Sequence, residues 1–275
     1  HGAQDNLVTC FGAATLTEAS SPELLRAVRE LAERYGVGYT IHLAQSRMEV
    51  ESMWRTRGVR SGFYLFTNDF LGPQLIAAHC RYVDDSEIAL LGNTRTIVTH
   101  QPAMAANRGV IPPVPALRAA GCHIAMGTDN NTQDMVEAMR VGLLTERIIR
   151  DDGTKPQPED VLKEATVNGA RALGMEEQIG SLEVGKKADL FVVDTQRAHL
   201  VPTTRIVSGF IHNGQPGDIE AVMVNGKFIM RDHKVLTLDE EAIVAEADRI
   251  GRRAWNRLLQ RYPNAPFPTR VAPEL

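Results

Sequence analysis

From Leu7 to about Thr145 the chain alternates short apolar runs with amphipathic ones. The apolar runs LVTCF (7–11), VGYTIHL (37–43), LIAAHC (75–80), RTIVTH (95–100) and CHIAMGTD (122–129) have the length and β-branched content of strands. Between them, 21–36, 47–57, 84–93 and 112–121 carry helical spacing. Ser21 is placed to cap the first helix, with Pro22 at its first position and Gly36 just past its end. Nearly continuous apolar strands separated by helices imply a parallel sheet covered by helices, an α/β fold.

Beyond ATVNGARALG (165–174) the texture becomes β-rich, in 180–194 and 218–232, the second interrupted by the hairpin dipeptide Asn225-Gly226. An amphipathic helix is expected from about Asp239 to Gln260, followed by a Pro-rich tail read as an extended arm. The expected units are therefore 1–179, a β unit at 180–238, and a helix with its tail at 239–275.

Composition narrows the function classes. The 275 residues carry 30 basic and 34 acidic side chains, a formal net charge of -4, which recommends neither nucleic acid nor an anionic membrane as partner. No apolar run has the roughly 18 residues of a membrane span. Cys10, Cys80 and Cys122 are scattered and odd in number, so a reducing, cytoplasmic home is the expectation. The chain opens without Met and without a signal-peptide pattern, as though entered in the middle.

Ligands of parallel α/β proteins gather at the carboxyl ends of the strands. Three expected strands finish on or next to histidine (His42, His79 and His100), and a fourth ends on Asp129. Imidazole nitrogens with a carboxylate suit zinc or a similar divalent ion. A lone strand-end histidine is more often structural; several in register make a metal site the sharper reading.

The stretches AAHCRYVDDSEIALLGNTRTIVTHQP, GVIPPVPALRAAGCHIAMGTDNNTQDM and EDVLKEATVNGARALGMEEQIGSLEVGKKADLFVVD resemble, in order and spacing, the amidohydrolase superfamily. The likeness is to its branch of chlorohydrolases and deaminases acting on triazines and related compounds. It implies a distorted (β/α)8 TIM-like barrel with a composite β-sandwich. In that scheme this chain holds the C-terminal part, strands four to eight, plus part of the sandwich. It implies one divalent metal ion, zinc before iron, cobalt or manganese, with His42 and Asp129 as ligands. Asp129 would accept a proton from the attacking water, and His79 would donate to the substrate. The family's H-x-H pair on the first barrel strand has no counterpart here. The missing half is therefore expected from the same polypeptide or a second chain, and the assembly is expected to be a homo-oligomer.

Gln45 departs from the pattern, since many deaminases of this branch carry Glu three residues after the strand-five histidine. An amide can orient substrate but has no titratable proton. The expectation is therefore hydrolysis of an amide, carbamate or urea-like C–N bond. The alternatives are deamination or dechlorination of a nitrogen heterocycle, and a catalytically incomplete fragment or assembly subunit. His100, in THQP, matches a His-x-Pro turn that is structural or substrate-lining, and Ala105 stands where the family often has Asn. His123 reads as a packing residue, and His199, His212 and His233 as surface ones. Trp54 and Phe63 lie in an aromatic-rich stretch, 53–73, in a chain only 5% aromatic. That stretch either walls a substrate pocket or packs onto its own helices or a neighbouring subunit.

Overall fold

The computed structural model describes residues 1–130 and 132–264. The short α1 (Ala3–Asn6) precedes a run of alternating strands and helices: β1 (Gly12–Leu16), α2 (Pro22–Tyr35), β2 (Tyr39–Leu43), α3 (Arg47–Arg57), α4 (Ser61–Thr67), β3 (Leu75–His79), α5 (Asp85–Asn93), β4 (Ile97–His100), α6 (Pro102–Asn107), α7 (Val114–Ala119) and β5 (His123–Met126). The five strands form one parallel sheet in the order β1-β2-β3-β4-β5. A long α8 (Met135–Arg150) and the pair α9 (Pro158–Ala165) and α10 (Val167–Ala172) follow.

The first strand lies five residues beyond its expected place. LVTCF leaves Leu7 and Val8 about half exposed, and the strand is instead GAATL. Apolar content misleads there because the position calls for small residues: a Cβ on Gly12 would lie 3.2 Å from Val28 of α2. The first helix is as expected, with Ser21 accepting from the Leu24 N–H and Gly36 left-handed at φ 62°.

Register explains which side chains meet. One face of the sheet, Tyr39, Ile41, Leu43, Leu75, Ala77, Val98 and Ile124, packs with Leu25, Met53, Leu65 and Leu117 of the covering helices into the main core. The opposite face carries Thr40, His42, Ile76, Ala78 and Thr99, all only partly buried. At its β5 side Ile97, Ala125 and Ala172 of α10 make a small apolar cluster.

The second sheet is antiparallel, β6-β7-β8-β9, from β6 (Leu190–Val193), β7 (Ile219–Val224), β8 (Lys227–Arg231) and β9 (Lys234–Val235). Asn225 and Gly226 turn the β7-β8 hairpin at φ 49° and 77°, both in the left-handed region that this dipeptide tolerates. Only 190–193 of the expected 180–194 is strand, and α11 (Ile206–Asn213), which was not expected, sits between the two β-rich segments of the 180–238 unit. Phe210 and Ile211 of α11 join Val136, Leu143 and Val161 in a second core that Val193 and Ile219 also touch. The last helix, α12 (Glu240–Arg261), matches its expected bounds and buries no residue. The expected extended arm falls largely on 265–275, outside the described residues.

Candidate functional site

The end of β2 is fixed on both sides of His42. Thr17 donates its hydroxyl to the His42 carbonyl at 2.8 Å, and His42 Nδ1–H donates to the Thr15 carbonyl. With Nδ1 occupied as donor, Nε2 carries the lone pair, the tautomer a metal ligand needs.

In register, His79 pairs with Leu43 and so belongs to the helix-facing side. Its left-handed backbone, φ 79°, breaks the alternation, and its ring stacks on that of His42 with centroids 5.2 Å apart and planes 17° from parallel. Asp129, also left-handed at φ 61°, closes the group, its Oδ2 lying 3.9 Å from His79 Nδ1. His79 is 5% exposed, and burial, with Arg81 and His42 adding and Asp129 opposing, pushes its imidazole down to about 4. It is therefore neutral at pH 7, able to ligate a metal or to donate one N–H.

Arg81 belongs to this centre although sequence reasoning passed over it. Its side chain is 9% exposed, and Nη2 lies 3.7 Å from Asp129 Oδ2. Among the described residues that nitrogen, His79 Nδ1 and Gln101 Oε1 are buried with no hydrogen-bond partner of good geometry, and Gln101 is the neighbour His79 comes nearest to bonding, a concentration of polar capacity expected where a ligand binds. Gln101 itself is anchored by donation from Nε2 to the carbonyl and hydroxyl of Thr99. The available signal was position, since Arg81 sits two residues past a strand-terminal histidine.

Gln45 occupies the turn after β2, half-buried, its main-chain N–H held at 2.7 Å by Glu49 of α3. His100 takes the structural side of its expectation. In register with Met126, it faces the helices, is 3% exposed, and bonds through Nε2 to Glu164 of α9 at 2.9 Å. Glu164 and Glu146 are in turn bound by Arg118, and Glu146 by Arg150.

The aromatic stretch takes the packing option. Tyr64 and Phe70 are buried in the main core, and the Tyr64 hydroxyl donates to the Ser20 carbonyl. Trp54, expected at the substrate, stands on α3 at 55% exposure, and Phe63 is half-buried on α4. On α4 Tyr64 turns into the core while Phe66, two residues on, is exposed, so the stretch does not form one wall. His123 packs as expected, against the Asn168 carbonyl. His199 is only partly at the surface, its ring hydrogen-bonded to the buried Asp218.

The donors at this centre are of the kind zinc takes, yet among the described residues no three His, Cys, Asp or Glu side chains converge to hold an ion. His42, its Nδ1 committed to the Thr15 carbonyl, and Asp129 are a partial set. No helix among the described residues is long and apolar enough to cross a membrane.

Fold and centre together define a class, a parallel α/β protein with its polar groups gathered at the carboxyl ends of the strands. Residues 5–229 match the model of the Amidohydrolase family, and the chain belongs to that family. It is 37% identical over 255 residues to a 5-methylthioadenosine/S-adenosylhomocysteine deaminase of Moorella thermoacetica, covering 90% of this chain and 59% of the relative. To a 5'-deoxyadenosine deaminase of Methanosarcina barkeri it is 35% identical over 263 residues, covering 94% and 60%. Among solved structures, an adenosine deaminase from Xanthomonas campestris with bound zinc superposes with a TM-score of 0.87 at 27% identity, covering 92% of this chain and 58% of that one. Atrazine chlorohydrolase from Arthrobacter aurescens, at 22% identity and a TM-score of 0.78, shares the fold. The chain thus spans about three-fifths of the length of these relatives.

Proposed function

We propose that this chain carries strands four to eight of a metal-dependent deaminase barrel, with part of its β-sandwich, acting on the exocyclic amine of a nitrogen heterocycle. Adenine nucleosides are the first substrates to try. The observation that carries the reading is the meeting of His42, His79 and Asp129 at three strand ends, in a chain whose relatives at 35–37% identity are named deaminases. This favours the ring-deaminase alternative over the amide, carbamate or urea expectation that Gln45 suggested.

His42 Nε2 and the Asp129 carboxylate would hold one divalent ion, zinc foremost, together with ligands that this sequence does not contain. Bound there, such an ion lowers the pKa of its water to about 7 and supplies the nucleophile at neutral pH. Asp129 accepts the proton released as water attacks the ring carbon, and returns it to the amine that leaves as ammonia. Neutral His79 donates to the ring nitrogen on which negative charge develops. Gln45 orients the heterocycle through its amide. The remaining strands would pair with the edges of the sheet at β1 and β5, leaving the half-exposed face that bears Thr40, Ala78 and Thr99 as the barrel interior.

The free cysteines suit a reducing compartment, so the cytoplasm remains the proposed location, with a homo-oligomer the proposed assembly. The test is the conversion of adenosine, 5'-deoxyadenosine and 5'-methylthioadenosine to their hydroxy products, followed by ultraviolet absorbance and ammonia release. Carbamate and urea substrates run alongside. Turnover confined to the open-chain substrates would restore the amide reading, which Gln45 supports.

A further inference from the structure

Glu49 stands on the first turn of α3, seven residues past His42, and is 1% exposed. Burial raises the pKa of its carboxyl, so the group needs donors to sit there. It finds them in the main chain: the Ala44 N–H reaches Oε1 and the Gln45 N–H reaches Oε2, each at 2.7 Å. Ser46 caps α3 by accepting from the Glu49 N–H at 3.1 Å. In an ordinary S-x-x-E capping box the glutamate returns to the N–H of the cap itself. Here it passes Ser46 and takes the two residues before it, which are the turn out of β2.

That turn is the junction of the site. Ala44 holds a left-handed φ of 48°, sparsely populated for a residue with a Cβ. Its carbonyl accepts from the N–H groups of Arg81 at 3.1 Å and Tyr82 at 3.0 Å, while the Leu43 carbonyl accepts from Cys80 at 2.9 Å. One carboxylate therefore sets the backbone from which Gln45 projects and, through Ala44, the loop that carries Arg81.

We propose that Glu49 is a positioning residue of the site: its carboxylate clamps the Ala44-Gln45 turn, aiming Gln45 and seating the 80–82 loop, without itself touching substrate. The kinetic part of its test rests on the functional reading above; the structural part does not.

The structural part is amide hydrogen exchange on the full chain by NMR, for wild type, Glu49→Gln and Glu49→Ala. In Glu49→Gln the Ala44 and Gln45 amides are expected to exchange about tenfold faster or more, the scale of one lost charge-assisted bond, while Ile41 and Leu43 keep their protection. Unchanged exchange at 44 and 45, equal loss of protection along β2, or failure of both variants to fold would each overturn the proposal, the last two by assigning Glu49 to the fold. The kinetic part compares Gln45→Ala, Glu49→Gln and the double variant in kcat/KM. If Glu49 acts through Gln45, the double variant falls within about twofold of the worse single one; multiplicative losses overturn that route. If wild type turns over none of the substrates, the functional reading fails and the exchange result alone decides the clamp.

Discussion

Arg81 Nη2 approaches Asp129 Oδ2 to 3.7 Å, on the same carboxylate oxygen that faces His79 Nδ1 at 3.9 Å. A guanidinium so placed disfavours a proton on the neighbouring imidazole. Replacing Arg81 by Gln removes the positive charge that, after burial, most depresses the His79 pKa. The His79 titration, followed by NMR of its ring carbons, is expected to move up from about 4 toward its ordinary value of 6.5. A titration unmoved by Arg81→Gln would mean that burial and the remaining neighbours set it without the guanidinium.

Asp129→Asn isolates proton transfer from architecture. Asn tolerates the left-handed backbone at φ 61° as well as Asp does, so the turn survives the exchange. Turnover should fall by roughly 10²-fold or more, the usual share of a positioned acid-base group. The fold should persist, with stability changed by no more than about 1 kcal/mol, the usual scale of a point substitution, even though Arg81 loses a charged neighbour. Retained turnover would remove Asp129 from the chemistry.

How much of this was legible beforehand depends on what each feature rests on. The succession of strands and the bounds of the five expected helices, α2, α3, α5, α7 and α12, rest on local periodicity and caps, and Ser21, Gly36 and the Asn225-Gly226 turn are visible as residues. His42, His79 and Asp129 were legible because strand ends carry the chemistry of parallel sheets. Arg81 and Glu49 were not, because their roles come from burial and from bonds to main-chain or distant atoms. GAATL was missed because close packing, absent from any hydropathy pattern, selects small residues there. Helix α11 was hidden by a surrounding β texture, and it is tertiary contact of Phe210 and Ile211 with α8 and α9 that holds it.

The charge layer behind the sheet gives a prediction in pH. Burial raises the Glu146 pKa, but hydrogen bonds and charge from Arg118 and Arg150 outweigh it, and the net shift is downward from 4.5. A carboxyl with a depressed folded pKa contributes stability that is present above the unfolded value and is lost as pH falls through the folded one. Urea midpoints should therefore decline below about pH 4.5. Glu146→Gln should lose about 1–3 kcal/mol at pH 7, since it leaves two guanidinium groups short of an acceptor. It should also flatten that acid decline. Parallel acid limbs in the two proteins would exclude Glu146 as a source.

Thiol chemistry separates the three cysteines. Cys10 is exposed, whereas Cys80 and Cys122 are buried, and burial pushes the Cys122 thiol up to about 11 and that of Cys80 well above its ordinary value. Only the thiolate reacts, so at pH 8 a disulfide reagent should titrate one thiol in the native protein and three in urea. Peptide mapping should place the native label on Cys10. Native labelling of Cys80 would show that the His79 turn opens readily.

Gln45 decides between the two chemistries, and one added charge suffices to test it. Its side chain leaves the turn that follows His42, where an amide can donate and accept hydrogen bonds but cannot deliver a proton. If ring deamination is the reaction, Asp129 alone carries the proton to the leaving ammonia, and a second acid at position 45 relieves that step. Gln45→Glu is then expected to raise kcat on amino-heterocycles by about tenfold or more, less than the roughly 10²-fold of a fully optimised general acid, and to introduce a pH dependence with the added carboxyl's own pKa. If the substrate is an open amide or carbamate, the amide of Gln45 is already the fitting partner for a carbonyl or N–H. The new carboxylate, facing a carbonyl oxygen, then lowers kcat/KM. Steady-state rates of wild type and Gln45→Glu on one amino-heterocycle and one carbamate, from pH 5 to 9, give opposite signs under the two readings, so a single pair of profiles tells them apart.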